Sequence, residues 1–171
     1  MRIVGGRHRG RRLLAPTGDT VRPTSDRARE ALFNILSHGR LAAGGVPLAG
    51  AAEAVFIERD PEAIAVLRRN VAALGESAHA EIVPGDAARP PRARLKCAVA
   101  FVDPPYRSGL AAPALEALDR ADWLAPDALA IVELGVREQL APPAGFALLD
   151  ERVYGAARLV FLRRNATAVA L

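Results

Sequence analysis

Short apolar runs alternate along this chain with stretches of helical period, and this alternation restricts the fold more than any other feature. Residues 54–57 run apolar into Glu58-Arg59-Asp60 and residues 98–102 into Asp103-Pro104-Pro105-Tyr106, while residues 80–83 read as another strand that ends at Gly85-Asp86. Residues 61–74 place Ile64, Val66, Leu67 and Val71 on an apolar face and stop at Gly75, which predicts a helix. A second helix is predicted at about 111–120, followed by a strand at 130–134. The last two runs, 147–153 and 158–162, flank Tyr154-Gly155-Ala156-Ala157 and predict an antiparallel hairpin. Strands that alternate with helices and close on a hairpin give an α/β fold, its sheet mostly parallel with an antiparallel C-terminal hairpin.

The N-terminal end has a different character. Residues 1–14 read as two short strands around a turn rich in glycine and arginine, a hairpin-like arm. Between Met1 and Arg29 there are eight arginines (Arg2, Arg7, Arg9, Arg11, Arg12, Arg22, Arg27 and Arg29) against Asp19 and Asp26, a balance of +6; the net charge of +4 leaves −2 for the rest. A basic end on a nearly neutral body suits a polyanion, and the planar guanidinium suits phosphate and base stacking. An arginine-rich genome would explain the residue type but not the clustering. Arg2, Arg7, His8, Arg9, Arg11, Arg12, Arg22 and Arg27 are therefore the candidate RNA contacts. Thr24 or Ser25 is placed to cap a helix over about 26–36, with Ala28, Leu32, Ile35 and Leu36 as its apolar stripe. Residues 39–52 are small and irregular and read as a loop.

At 171 residues, 51% hydrophobic and 25% charged, the chain has the balance of one globular domain, with residues 1–36 as a basic arm and first helix. Cys97 is the only cysteine and reads as packing; no Cys/His cluster has zinc-ligand spacing, and His8, His38 and His79 are scattered. No apolar run approaches the ~20 residues that span a bilayer, and the arginine-rich N-terminus is unlike a signal peptide. These features point to a cytoplasmic protein with no membrane partner.

In an α/β sheet, ligands bind beyond the carboxyl ends of the strands. Glu58 ends such a strand and is placed to accept hydrogen bonds from ribose hydroxyls, although, taken alone, a solvated helix-entry charge explains it slightly better. Asp86 is placed to meet an adenine amino group or to cap a turn. The run Asp103-Pro104-Pro105-Tyr106 is more specific. Each proline fixes its own φ and drives the preceding residue toward extended geometry, so the Asp103 carboxylate and the Pro104 carbonyl become neighbouring acceptors matched to an NH2 group. Hydrogen bonds from an exocyclic base amine to these acceptors would localise the nitrogen lone pair for attack on a methyl donor. Tyr106 offers a flat face for the base. A Pro-Pro-x-Tyr docking peptide would be exposed and flexible, whereas this run directly follows five apolar residues.

Met1-Arg2-Ile3-Val4-Gly5-Gly6, Arg22-Pro23-Thr24-Ser25-Asp26-Arg27 with Ala31-Leu32-Phe33-Asn34-Ile35-Leu36, and Phe101-Val102-Asp103-Pro104-Pro105-Tyr106 resemble the RsmD type of 16S ribosomal RNA guanine-N2 methyltransferase. The resemblance continues through Trp123-Leu124 and the final hairpin. It implies a Rossmann-like class I methyltransferase fold, S-adenosyl-L-methionine as cofactor, and ribosomal RNA as partner, free or in an assembled small-subunit particle, with the protein a monomer. By position it implies that Glu58 and Arg59 meet the ribose, that Asp86 and Ala87 meet the adenine, and that Asp103, Pro104, Pro105 and Tyr106 form the catalytic loop.

One departure stands out. Family members have a first strand, a Gly-rich cofactor loop and a helix ahead of the strand ending at Glu58. Here the chain passes from His38 through residues 39–52 almost directly into Ala54, too short a path for a parallel crossover, and Gly44-Gly45 has no strand leading into it. Either the sequence omits a segment or the chain carries a deletion. Omission is the expectation, because losing a central strand exposes its neighbours' edges; a true deletion would largely abolish cofactor affinity. Two other functions fit some of these features. One is a non-catalytic RNA-binding protein on a degenerate methyltransferase fold, and the other is a DNA adenine-N6 methyltransferase.

Overall fold

The structure, a computed structural model, describes residues 2–4, 6–15, 31, 32, 35 and 51–165. Ala31, Leu32 and Ile35, which belong to the predicted first helix, are helical. Thr24, Ser25, Arg22, Arg27 and residues 39–50 lie outside the described residues. The described residues fall into two compact units, one reaching Ala87 and the other starting at Ala88.

The first unit is a βαβ element. Strand β1 (Ala54–Glu58) leads into helix α1 (Pro61–Leu74), which returns to strand β2 (Ala80–Pro84). The strands are parallel, in register from Ala54 opposite Ala80 to Glu58 opposite Pro84. The bounds of α1 are written in its termini. The Asp60 carboxylate accepts from the Ala63 N–H at 2.8 Å, and Pro61 occupies the first turn, where no intrahelical donor is needed. Gly75 closes the helix at φ 76°, and the Glu76 N–H reaches back to the Val71 carbonyl at 3.0 Å. Ile64 and Val66 are the helix's buried residues.

In the second unit, strand β3 (Cys97–Val102), helix α2 (Ala111–Arg120), strand β4 (Leu124–Gly135), strand β5 (Phe146–Tyr154) and strand β6 (Ala157–Arg164) form a sheet of order β3-β4-β6-β5. β3 and β4 are parallel, and β6 runs antiparallel to both β4 and β5. Leu129, Ile131, Val132, Val160, Phe161 and Leu162 are fully buried because β4 and β6 each have a neighbour on both sides. Helix α2 buries Ala111, Ala114, Leu115 and Leu118, the i, i+3, i+4, i+7 face.

Two differences from the sequence expectation have clear causes. β4 begins at Leu124 rather than 130: Leu124 pairs with Cys97, and a register shift then absorbs Pro126 and Asp127, the latter at φ 59°, residues that read as strand breakers. The strands expected in one sheet fall, among the described residues, in a two-stranded and a four-stranded sheet. Among the described residues β1 pairs only with β2 and β3 only with β4, which leaves Phe56 36% and Phe101 46% exposed on strands whose composition is that of buried ones. No described helix is long and apolar enough to cross a membrane.

Candidate active site

The parallel register of the first unit brings two candidate acids to the same strand ends. Glu58 closes β1, and the Gly85 N–H, just past β2, donates to the Glu58 carbonyl at 2.9 Å, so Asp86 and Ala87 follow immediately beside it. The Glu58 carboxylate is oriented by its own chain. Oε1 accepts from the Arg59 N–H at 2.7 Å and from the Asp60 N–H at 2.8 Å, while Oε2 accepts no hydrogen bond among the described residues. A carboxylate fixed through one oxygen, with the other presented at a strand end, fits a pair of ribose hydroxyls. This donor set fits the nucleoside end of the expected cofactor; the described residues contain no Gly-rich turn for its other end.

The second unit holds the Asp103–Tyr106 run just past β3. Val102 lies opposite Val132 in the parallel ladder, so the run starts alongside Glu133. Among the described residues Glu133 is the one charged residue that is buried, at 2% exposure, and its Oε1 accepts from the Tyr106 hydroxyl at 3.0 Å. The chain then turns at Arg107, φ 60°, a conformation that L-residues adopt at a cost. There the Arg107 N–H donates to Glu138 Oε2 at 2.7 Å, and the other Glu138 oxygen accepts from the Gly135 N–H at 2.8 Å. A Cβ at Gly135 would lie 2.7 Å from Glu138 Oε1 and 3.4 Å from Tyr106 Cδ2. Two acids on and just after β4 therefore fix the loop, one through the tyrosine hydroxyl and one through the backbone. Asp103 and Tyr106 remain on the surface, the ring 36% exposed. A cavity of about 250 Å3, lined by Pro104, Ser108, Leu110, Leu134 and Gln139 among others, adjoins the loop. It is smaller than the ~300 Å3 at which small-molecule sites begin, so it does not suit the whole cofactor.

The arm is a hairpin held by one antiparallel bridge between Arg2 and Arg12, with the Ile3 N–H donating to the Arg11 carbonyl at 3.0 Å and the Gly10 N–H to the Ile3 carbonyl at 2.8 Å. It is tied to α1. Asn70 makes a reciprocal pair with the Leu14 backbone, accepting from its N–H at 2.9 Å and donating to its carbonyl at 3.1 Å. Arg7 and His8 both contact the Glu76 carboxylate, and Arg7 first, then His8, hold that carboxyl down from its ordinary 4.5 to about 2. Arg2, Arg9, Arg11 and Arg12 are exposed. Of the predicted site residues, Glu58 and Arg59 thus share strand ends with Asp86 and Ala87, Asp103 to Tyr106 form one pinned loop, and six of the eight arm residues share the hairpin. Sequence reading missed Glu133, Glu138, Asn70 and Glu76. Only Glu133 left a trace, as an acid inside the apolar run Ile131-Val132-Glu133-Leu134.

Comparison with known proteins adds three findings. The family described as Conserved hypothetical protein 95 matches residues 1–46 and 48–163. Ribosomal RNA small subunit methyltransferase D of Escherichia coli (strain K12) is 35% identical over 181 residues, covering 97% of this chain and 91% of its own length; the protein of the same name from Haemophilus influenzae is 31% identical over 172 residues, covering 91% and 89%. Among solved structures, the putative methyltransferase yhhF from Escherichia coli superposes with a TM-score of 0.75 at 33% identity, over 98% of this chain and 99% of that one. About 166 residues of this chain fill the 181 positions aligned to the first relative, so about 15 have no counterpart here, and the family match is interrupted at residue 47, inside the short segment before β1.

Proposed function

The chain belongs to the RsmD family of ribosomal RNA small subunit methyltransferases, and from that premise we propose that it methylates the exocyclic N2 of a guanine in 16S ribosomal RNA. The observation that carries this reading is the pinned Asp103–Arg107 loop, which opens on the exposed Asp103 and in which Glu133 holds the Tyr106 hydroxyl and Glu138 the Arg107 N–H. The chain acts as a single methyltransferase domain, a cytoplasmic monomer, on RNA free or in an assembled small-subunit particle.

When bound, S-adenosyl-L-methionine supplies an electrophilic methyl group. Glu58, with Arg59, would hold its ribose, and Asp86 with Ala87 its adenine. The Asp103 carboxylate and the Pro104 carbonyl accept hydrogen bonds from the guanine amine, which localises the nitrogen lone pair and orients it. As the nitrogen gains the methyl it loses one proton, and Asp103 is the group placed to receive it. Tyr106 stacks on the extruded base. Arg2, Arg7, His8, Arg9, Arg11 and Arg12 of the arm, with Arg22 and Arg27, contact the RNA backbone. We further propose that the roughly 15 unmatched positions before β1 hold the first strand and Gly-rich cofactor loop of the relatives. Their absence supports a second reading, an RNA-binding protein whose cofactor affinity is lost. Replacing Asp103 with Ala separates the two: methyl transfer should disappear while RNA binding stays within twofold, and an Asp103→Ala variant as active as the parent would sink the proposed mechanism.

A further inference from the structure

The connection between β2 and β3 carries positive charge that the arm does not account for. Arg89, Arg92, Arg94 and Lys96 fall within eight residues that contain no acid. All four are exposed, while the intervening Ala93 and Leu95 are half-buried, so the cations of this stretch face solvent and the apolar residues face the unit. The segment is not a loose loop. The Ala93 N–H donates to the Ala121 carbonyl and the Cys97 N–H to the Trp123 carbonyl, both at 2.8 Å; the indole of buried Trp123 donates to the Pro91 carbonyl at 2.8 Å. Pro90 and Pro91 stiffen its entry. One carboxylate, Asp122, serves the cluster, 2.5 Å from Arg92 and 3.5 Å from Lys96. Among the described residues Arg89 and Arg94 make no ion pair, so the strip keeps a balance of about +3.

Like charges held together by backbone hydrogen bonds repel one another, and the cost is offset when a polyanion binds and releases its counterions. A merely solvated charge run needs no such anchoring. We propose that this strip is a second contact surface for the RNA phosphate backbone, separate from the N-terminal arm. The inference rests on the RNA-directed reading above and deepens it. The strip adjoins the N-terminal end of β3, whereas Asp103 follows its C-terminal end, six residues away in an extended strand. At about 3.3 Å per residue that separates them by about 20 Å. A folded ribosomal RNA spans this distance; a single nucleotide at the target base does not.

The test is a variant of the full chain carrying Arg89→Gln, Arg92→Gln, Arg94→Gln and Lys96→Gln, with its fold checked by circular dichroism. Binding to folded small-subunit RNA is measured over a range of salt. For the folded RNA, the slope of log affinity against log salt should flatten by about three, from a loss of ~0.7–0.9 per phosphate contact, and affinity at low salt should drop at least tenfold. An unchanged slope in a parent that binds RNA would return the strip to a solvated face. A parent with no salt-dependent RNA affinity would overturn the RNA-directed reading, and this inference with it.

Discussion

Tyr106→Phe removes one hydroxyl and leaves the aromatic face, so it isolates what the bond to Glu133 contributes. That bond, at 3.0 Å, ends on a carboxylate that is only 2% exposed, while the tyrosine itself is 36% exposed. Hydrogen bonds to charged groups contribute about 1.5–3 kcal/mol. Water reaches the tyrosine, so the lower end applies, and we expect a loss of about 1.5 kcal/mol. For a chain of this length each kcal/mol moves the melting point by roughly 2–4 °C, so calorimetry should find Tm lowered by about 3–6 °C. In catalysis the ring still stacks but is no longer held, and the same energy corresponds to about a tenfold fall in single-turnover rate. Affinity for S-adenosyl-L-methionine should not move. Glu133→Gln keeps an oxygen able to accept from the hydroxyl and should stay near the parent, whereas Glu133→Ala, which also empties a buried site, should cost at least as much as Tyr106→Phe. Combined, Tyr106→Phe and Glu133→Ala should cost less than the sum of the two, because they share one contact. A double variant whose losses simply add, or a Phe variant with the parent's Tm and rate, would refute the reasoning.

Three further outcomes follow from the geometry. Gly135→Ala puts a Cβ against Glu138 Oε1 and Tyr106, so Glu138 should release the Arg107 and Gly135 N–H groups and the single-turnover rate should fall several-fold, with arm-dependent RNA binding unchanged in a filter-binding assay. The Glu76 carboxyl, lowered to about 2 in the folded chain, holds the arm at every pH above its ordinary 4.5 and loses that hold as pH falls from 4.5 through 2, so hydrogen exchange of the arm amides should accelerate across that window; at neutral pH, Glu76→Gln should speed tryptic cleavage at Arg9, Arg11 and Arg12. Inserting before β1 about 15 residues from the corresponding region of the Escherichia coli relative, where the missing positions are proposed to lie, should tighten S-adenosyl-L-methionine binding at least tenfold by calorimetry, and an insertion with no effect would remove the proposed role of that segment.

What the sequence made legible is what local chemistry writes. Helix α1 is found over its predicted span because Asp60, Pro61 and Gly75 mark its ends. The C-terminal hairpin is found because Gly155, at φ 62°, permits its tight turn. The Asp103–Tyr106 run is readable because two prolines constrain it whatever surrounds it. Its supports are not, since Glu133 and Glu138 meet it only when β4 folds beside β3, and neither has a spacing that announces the partner. Asn70 and Glu76 are similar: on α1 and just past its end they look like ordinary polar positions, and only docking of the arm gives them a purpose. The strip on the β2–β3 connection was hidden by charge balance, because acids elsewhere in the chain bring residues 30–171 to about −2. The division into two sheets was foreshadowed by the missing crossover before Ala54.

The central claim is the chemistry of the Asp103–Tyr106 loop on a ribosomal guanine, and the most direct measurement is the identity of the methylated nucleoside. The purified chain is incubated with isotopically labelled S-adenosyl-L-methionine and, in parallel, small-subunit particles, free 16S RNA and duplex DNA, and the digested products are resolved by mass spectrometry. The account predicts labelled N2-methylguanosine from the ribosomal substrates and none when Asp103 is Ala. Label in N6-methyladenine from DNA, or no label from any substrate even after the segment before β1 is restored, would contradict it.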